Sequence, residues 1–224
     1  MGESSSLPEQ GLRRVSVEIC RIVAELYRDG LISAVGGNVS ARVPGSDLIC
    51  MTPAGQFKGG LQPEDLVAVD PSGAVVWGSG RPSSEVDMHL ALLTARPTLN
   101  AVVHSHPPYT TVLGFFPEPL EPLTVIHAYL EGLPRLPFRF SQDRAFADAV
   151  VAAIGSQDAL ILENHGLVTV GVSIRAAATM AYLVEEAAHL SYLTRLLGGT
   201  PRLLPPDALE RVRQMRRRGR SLLG

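Results

Sequence analysis

Two histidines alternate inside an otherwise apolar run, Ala101-Val102-Val103-His104-Ser105-His106. In a β-strand, residues two apart face the same side at roughly 6–7 Å spacing, so His104 and His106 can converge on one ion. Packing alone does not account for the pair, because a buried imidazole without a partner is costly. Imidazoles at this spacing suit zinc, and a catalytic zinc takes three protein ligands while keeping a fourth position for water or substrate. His165 is the strongest candidate for the third ligand. It stands in Glu163-Asn164-His165-Gly166, which reads as a tight turn between two apolar strands; taken alone, a hydrogen-bonded turn histidine is the other reading. His89, His127 and His189 are not assigned to the metal: two lie in helical patterns and His127 closes an apolar run.

Ser83-Ser84-Glu85 precedes a helical pattern. Hydroxyls, free N–H groups and the positive end of a helix dipole make an anion site there, or simply a capping sequence. Glu85 at the first turn is a metal ligand, a general base or both if that turn faces the histidines. Gly36-Gly37-Asn38-Val39-Ser40 either presents backbone N–H groups to an anion or only turns the chain. Lys58 is the single lysine beside nineteen arginines. It falls between Phe57 and a Gly59-Gly60 turn, where exposure is expected, which argues against imine catalysis.

The elements that must position these groups follow from periodicity. Val15, Ile19, Ile22, Val23 and Leu26 recur at helical spacing up to a stop at Asp29-Gly30. Short β-rich runs follow at 48–52, 66–70 and 74–77. A helix is expected from Ser84, as N-cap, to the break at Pro97. After the His104–His106 strand come a short helix at 109–115 and a proline-rich stretch, 117–137, expected to be irregular and exposed. Ser141 is expected to cap a helix to about Ile154. Strands at 159–162 and 167–170 flank the His165 turn, a long apolar helix runs from about Ile174 to Leu197, and an arginine-rich helix or tail closes the chain.

Composition narrows the classes. With 224 residues, 46% of them hydrophobic, the chain can close one sizeable core. A net charge of −2 gives no general attraction to nucleic acid, and the six arginines of Arg211–Arg220 read as a solvated helix face or tail. Two cysteines, Cys20 and Cys50, lack the spacing of a disulfide framework and fit a reducing cytoplasm. No apolar run approaches the roughly 18–20 residues of a membrane span, and no signal peptide is expected. The opening Met1-Gly2-Glu3-Ser4-Ser5-Ser6 formally fits a myristoylation pattern, a match that arises easily by chance.

Gly37-Asn38-Val39-Ser40, Thr52-Pro53-Ala54-Gly55, Ser83-Ser84-Glu85, His89, the His104–His106 strand and Asn164-His165-Gly166 occur in that order. Together they resemble the class II aldolase/adducin family, particularly its fuculose-phosphate aldolases, over about residues 10–200. The resemblance implies an α/β fold: a single three-layer α/β/α domain with a mostly antiparallel central sheet, between a flexible 1–9 stretch and the 201–224 tail. It implies a homotetramer with active sites near subunit interfaces. It also implies Zn2+ on His104, His106 and His165, with Glu85 as acid/base residue that can also ligate the metal. The phosphate pocket maps onto Gly37, Asn38, Gly55, Ser83 and Ser84, while Val35 and Ala54 stand where hydroxyl side chains are expected. Tyr129, beside Ala128, is the candidate catalytic tyrosine. The activity so implied is cleavage of a ketose 1-phosphate to dihydroxyacetone phosphate and an aldehyde through a metal-stabilised enediolate. Decarboxylation of a keto or hydroxy acid, or a non-catalytic scaffold like the adducin head, are the alternatives on the same fold.

Overall fold

The structure, a computed structural model, describes residues 7–141 and 143–218. The Met1–Ser6 pattern and most of the expected flexible 1–9 stretch lie outside the described residues; the first helix, α1, already begins within that stretch and spans Leu7–Arg28. Val15, Ile19, Ile22, Val23 and Leu26 line its buried face, as their spacing requires.

Eight strands form one sheet: β1 Asn38–Arg42, β2 Ile49–Met51, β3 Val67–Val69, β4 Val75–Trp77, β5 Ala101–Ser105, β6 Arg135–Leu136, β7 Ala159–Leu162 and β8 Gly166–Gly171. Their order is β4-β3-β2-β1-β5-β8-β7-β6. Every neighbouring pair is antiparallel except β6 and β7, which run parallel. The sheet is therefore mostly antiparallel, as expected.

Strand alternation assigns each side chain to a layer. Val39, Ala41, Ala101, Val103 and Leu167 pack beneath α1 and the long helix α6, Ile174–Leu197. Val102, Val168 and Val170 pack on the other face beneath α2, Val86–Ala95, and α5, Arg144–Ile154. This is the three-layer α/β/α arrangement. Opposite residues of an antiparallel pair share a face, and the register sets Asn38 against His104 and Ser40 against Val102. Asn38, Ser40 and His104 thus lie together on the α2 side.

Four sequence expectations are corrected. The stretch read as a turn, Gly36 to Ser40, runs into β1, a central strand whose Val39 and Ala41 alternate with polar residues that have partners under α2. Ser84 does not cap α2: the cap position is Glu85, and Ser83 Oγ instead accepts from the Glu85 N–H at 3.3 Å. Ser141 does not cap α5, because Asp143 does so by accepting from the Phe146 N–H at 2.7 Å. The 117–137 stretch is not wholly irregular and exposed. It holds α4, Val125–Tyr129, started by Thr124 accepting from the His127 N–H, with His127 and Ala128 buried. The short α3, Pro108–Leu113, has Pro107 at its cap position and starts at Pro108 after β5, and the arginine-rich segment forms α7, Pro206–Arg217. On α7, Arg216 donates to the Glu131 carbonyl and Arg213 pairs with Glu131, so this helix is docked by specific contacts.

Candidate metal centre

β5 delivers His104, fully buried, and the chain leaving it delivers His106, whose N–H donates to the Leu31 carbonyl at 2.8 Å. The β7–β8 hairpin delivers His165. Its turn places Asn164 at φ 58, a left-handed conformation that asparagine tolerates. The three histidines offer ring nitrogens that all lie within 4.8 Å of one another. His104 and His106 approach nitrogen to nitrogen at 3.0 Å, and their ring centroids are 4.7 Å apart.

Two glycines make this approach possible. A Cβ on Gly166 would sit 2.4 Å from the Ser105 carbonyl and 2.7 Å from His106 Cδ2; one on Gly36 would sit 2.9 Å from His106 Nδ1. No side chain fits at either place without moving a histidine.

The protonation pattern suits a cation. His104 Nδ1 lies 3.0 Å from the Leu167 carbonyl, and since a carbonyl only accepts, that nitrogen donates and the ring turns Nε2 toward the cluster. Burial, aided by the neighbouring imidazoles, pushes His106 down to about 3 and His165 down to about 4. Both rings are neutral, and so competent ligands, near neutral pH.

Glu85 completes the cluster. Its Oε2 lies 3.3 Å from His104 Nε2 and its Oε1 lies 3.8 Å from His165 Nε2. Burial alone pushes this carboxyl up, but His104, the Asn38 amide and His165 outweigh it and hold Glu85 at about 2. Oε1 is a buried oxygen with no hydrogen-bond partner. A buried carboxylate oxygen left unpaired is costly, and a cation held by the adjacent imidazoles would relieve that cost. The donor set and this orphaned oxygen both fit a divalent metal.

A chain of hydrogen bonds behind Glu85 fixes its orientation. Asn38 Nδ2 donates to Glu85 Oε2 at 2.8 Å. Asn38 Oδ1 takes a short hydrogen bond from His89 Nε2, whose ring in turn meets Ser40 Oγ through Nδ1 at 2.6 Å. An amide oxygen only accepts, so His89 donates from Nε2 and its Nδ1 accepts from the serine. Glu85 and His89 are four residues apart and share one face of the start of α2. Burial holds His89 neutral by pushing it down to about 3. Sequence reasoning left His89 without a role; the signal was its i+4 spacing from Glu85.

A cavity of about 210 Å³ opens on this cluster, lined among others by Gly37, Asn38, Ser83, Ser84, Glu85, His106 and His165. Val35, Lys58 and Ser141 also line it. Lys58 corrects the expectation of exposure: it is 2% exposed. Gly55 is not among the lining residues. Tyr129 lies elsewhere in the same chain. Its ring lies under the Arg216 guanidinium at 5.7 Å and lines a different cavity, with Leu133, Gln157 and Met180. Packing of α4 against α7 turns it away from the histidine cavity of its own chain.

The amino-acid sequence between residues 17 and 192 matches the Class II Aldolase and Adducin N-terminal domain. The chain belongs to this family. It is 31% identical over 202 residues to a 5-deoxy-D-ribulose 1-phosphate aldolase of Bacillus thuringiensis, covering 90% of this chain and 94% of that protein. It is 33% identical over 201 residues to a 3-oxo-tetronate 4-phosphate decarboxylase of Escherichia coli, covering 86% and 90%. A solved L-fuculose 1-phosphate aldolase superposes with a TM-score of 0.81 at 27% identity, covering 91% of this chain and 96% of that one. Relatives of this class II aldolase are thus lyases, and they include both aldolases and decarboxylases.

Proposed function

We propose that this class II aldolase is zinc-dependent and cleaves a ketose 1-phosphate reversibly to dihydroxyacetone phosphate and an aldehyde. The observation that carries this reading is the convergence of His104, His106 and His165 beside an unpaired buried oxygen of Glu85. Held by His104, His106 and His165, zinc would supply Lewis-acid stabilisation of negative charge developing beside the carbonyl.

The chain's own groups do the rest. Glu85, held ionised, has Oε1 free to take a proton from the carbon beside the carbonyl in the synthetic direction and to return it in cleavage. Asn38 keeps Oε2 fixed, so only Oε1 turns toward the reacting carbon. Gly37, Asn38, Ser83 and Ser84 line the cavity, which supports binding of the phosphate there. Among the described residues, Gly55 and Tyr129 do not line this cavity.

A decarboxylase of a phosphorylated keto acid is the second reading, favoured by the E. coli relative; loss of CO2 leaves the same kind of enolate for the same groups to protonate. We further propose a cytoplasmic homotetramer. Two free cysteines support the compartment. Exposed Phe116, Tyr192, Leu196 and Leu197 on and beside the last turns of α6 support the assembly.

Metal analysis of the purified protein, followed by an assay of dihydroxyacetone phosphate release from a panel of ketose 1-phosphates, tests the function. Zinc with release is expected, and His104→Ala should lose both. Zinc with CO2 release from a 3-oxo acid phosphate instead would make it the decarboxylase; a metal-free, inert protein would make it a scaffold.

A further inference from the structure

Lys58 is the only lysine in the chain, and it is buried in the wall of the histidine cavity. It begins a short 3-10 turn, Lys58–Gly60, anchored by its N–H donating to the Ala34 carbonyl at 2.8 Å. Its Nζ donates to the Pro53 carbonyl at 3.0 Å and the Gln56 carbonyl at 3.2 Å. Two of the three ammonium protons are thus placed and one remains. Burial alone pushes this amine below its ordinary value, with no neighbouring carboxylate acting on it. A buried cation held only by carbonyl dipoles costs the fold several-fold more than an exposed one, and a counter-charge is what would offset that cost.

The cavity needs such a cation. Among the described residues no other lysine or arginine lines it. Asn38 is largely committed, with its oxygen bound to His89 and one N–H bound to Glu85. Ser83 Oγ accepts from the Glu85 N–H and keeps its own proton to donate, but it is neutral. At Val35 and Ala54, side chains with no hydrogen-bonding atom occupy the places where the family resemblance leads one to expect hydroxyls. What is left to meet a dianion is a set of neutral donors, the Ser83, Ser84 and Ser141 hydroxyls and backbone N–H groups, and one cation, Lys58.

We propose that Lys58 anchors the phosphoryl group of the substrate, its ammonium replacing the hydroxyl donors absent at positions 35 and 54. The proposal rests on the sugar-phosphate reading given above. Lys58 is a specificity residue here: it discriminates phosphorylated from unphosphorylated substrates of the same carbon skeleton.

The test is a pair of ligands that differ by the phosphoryl group alone, glycolate and phosphoglycolate, titrated by calorimetry into the purified wild-type protein, Lys58→Gln and Lys58→Arg. Wild type should prefer phosphoglycolate. Lys58→Gln should weaken phosphoglycolate roughly tenfold to a hundredfold, the range of one charge-assisted hydrogen bond, and leave glycolate unchanged. Lys58→Arg, which keeps the charge, should restore part of the preference; if Lys58→Gln does not fold, the proposal stands or falls on whether Lys58→Arg keeps it. Equal losses for both ligands, or none for either, would mean that Lys58 only braces the Pro53–Gln56 loop and would overturn the proposal. Because binding is read without bond cleavage, a phosphate preference in a protein that releases no dihydroxyacetone phosphate would reject the aldolase reading and leave this one standing.

Discussion

In the proposed mechanism two demands meet at Glu85, since a proton carrier must be ionised when it acts and must also stay where the reacting carbon will be. The imidazoles meet the first demand and the Ser40–His89–Asn38 chain meets the second. Replacing His89 with leucine removes the donor to Asn38 Oδ1 and frees the amide to rotate. We expect kcat to fall by about tenfold or more with metal content unchanged, and stability to fall by roughly 1–3 kcal/mol from the buried group left unpaired; steady-state kinetics beside metal analysis checks this, and equal kcat would remove His89 from the mechanism. The same ring sets an acid sensitivity. His89 takes a proton near 6.5 when unfolded but only at about 3 when folded. The unfolded chain therefore binds more protons throughout that window, and stability falls as pH falls from 6.5 toward 3. His106 and His165 add in the same direction in the metal-free protein. Urea unfolding of metal-free protein should show a slope of about 1.4 kcal/mol per pH unit for each proton so linked, and a flat profile between pH 6 and 4 would contradict it.

The elements act as clamps whose spacing leaves no slack. The β7–β8 hairpin can carry His165 to the cluster only because Gly166 lets its backbone pass the Ser105 carbonyl and the His106 ring. Gly166→Ala must push the hairpin off β5. We expect a loss of roughly 1–3 kcal/mol, the usual cost of overpacking, together with loss of bound metal, while Gly60→Ala, whose nearest neighbour would be an ordinary 3.7 Å away, should keep its metal. Metal content and urea midpoints of the two variants side by side decide the point. β1 shows how much of an element was legible. Asn38-Val39-Ser40-Ala41-Arg42 has the period-two alternation of a strand, but its polar members hid it, because a polar residue usually marks a solvent face. Here that face lies under α2, and Asn38, Ser40 and Arg42 all have partners there or at its end.

In the whole molecule, apolar surface gathers at one end of α6, where Leu197 is 88% exposed and Leu196 65%. Exposed leucines in such a cluster favour burial against another copy. The tetramer reading predicts a mass near four chains by light scattering for wild type, and dissociation to smaller species for Leu196→Asp combined with Leu197→Asp. A wild type that elutes as a monomer at all concentrations would end that reading. The arginine-rich segment belongs to this scale too. As a sequence it was a solvated face or a tail, yet α7 uses Arg213 and Arg216 to hold Glu131, and its Arg216 covers Tyr129.

The histidine triad that could hold a metal was readable in the chain itself, because strand alternation and a histidine-bearing turn are local patterns with a fixed geometric consequence. So were α1, whose periodicity reports the face it buries, and α6, β5 and the β7–β8 hairpin, whose apolar runs between turn signals mark buried elements. What the chain alone did not decide was which distant groups meet. Lys58 follows a phenylalanine and precedes two glycines, a local context that reads as surface, yet the fold seals it between the Pro53–Gln56 loop and the cavity. His89 lay in an ordinary helical pattern until the β1–β5 register brought Asn38 and Ser40 beneath it, and Tyr129 sat where a catalytic group was expected until α7 covered it. Burial and partnership depend on contacts between residues tens of positions apart, and only the packed tertiary structure fixes those.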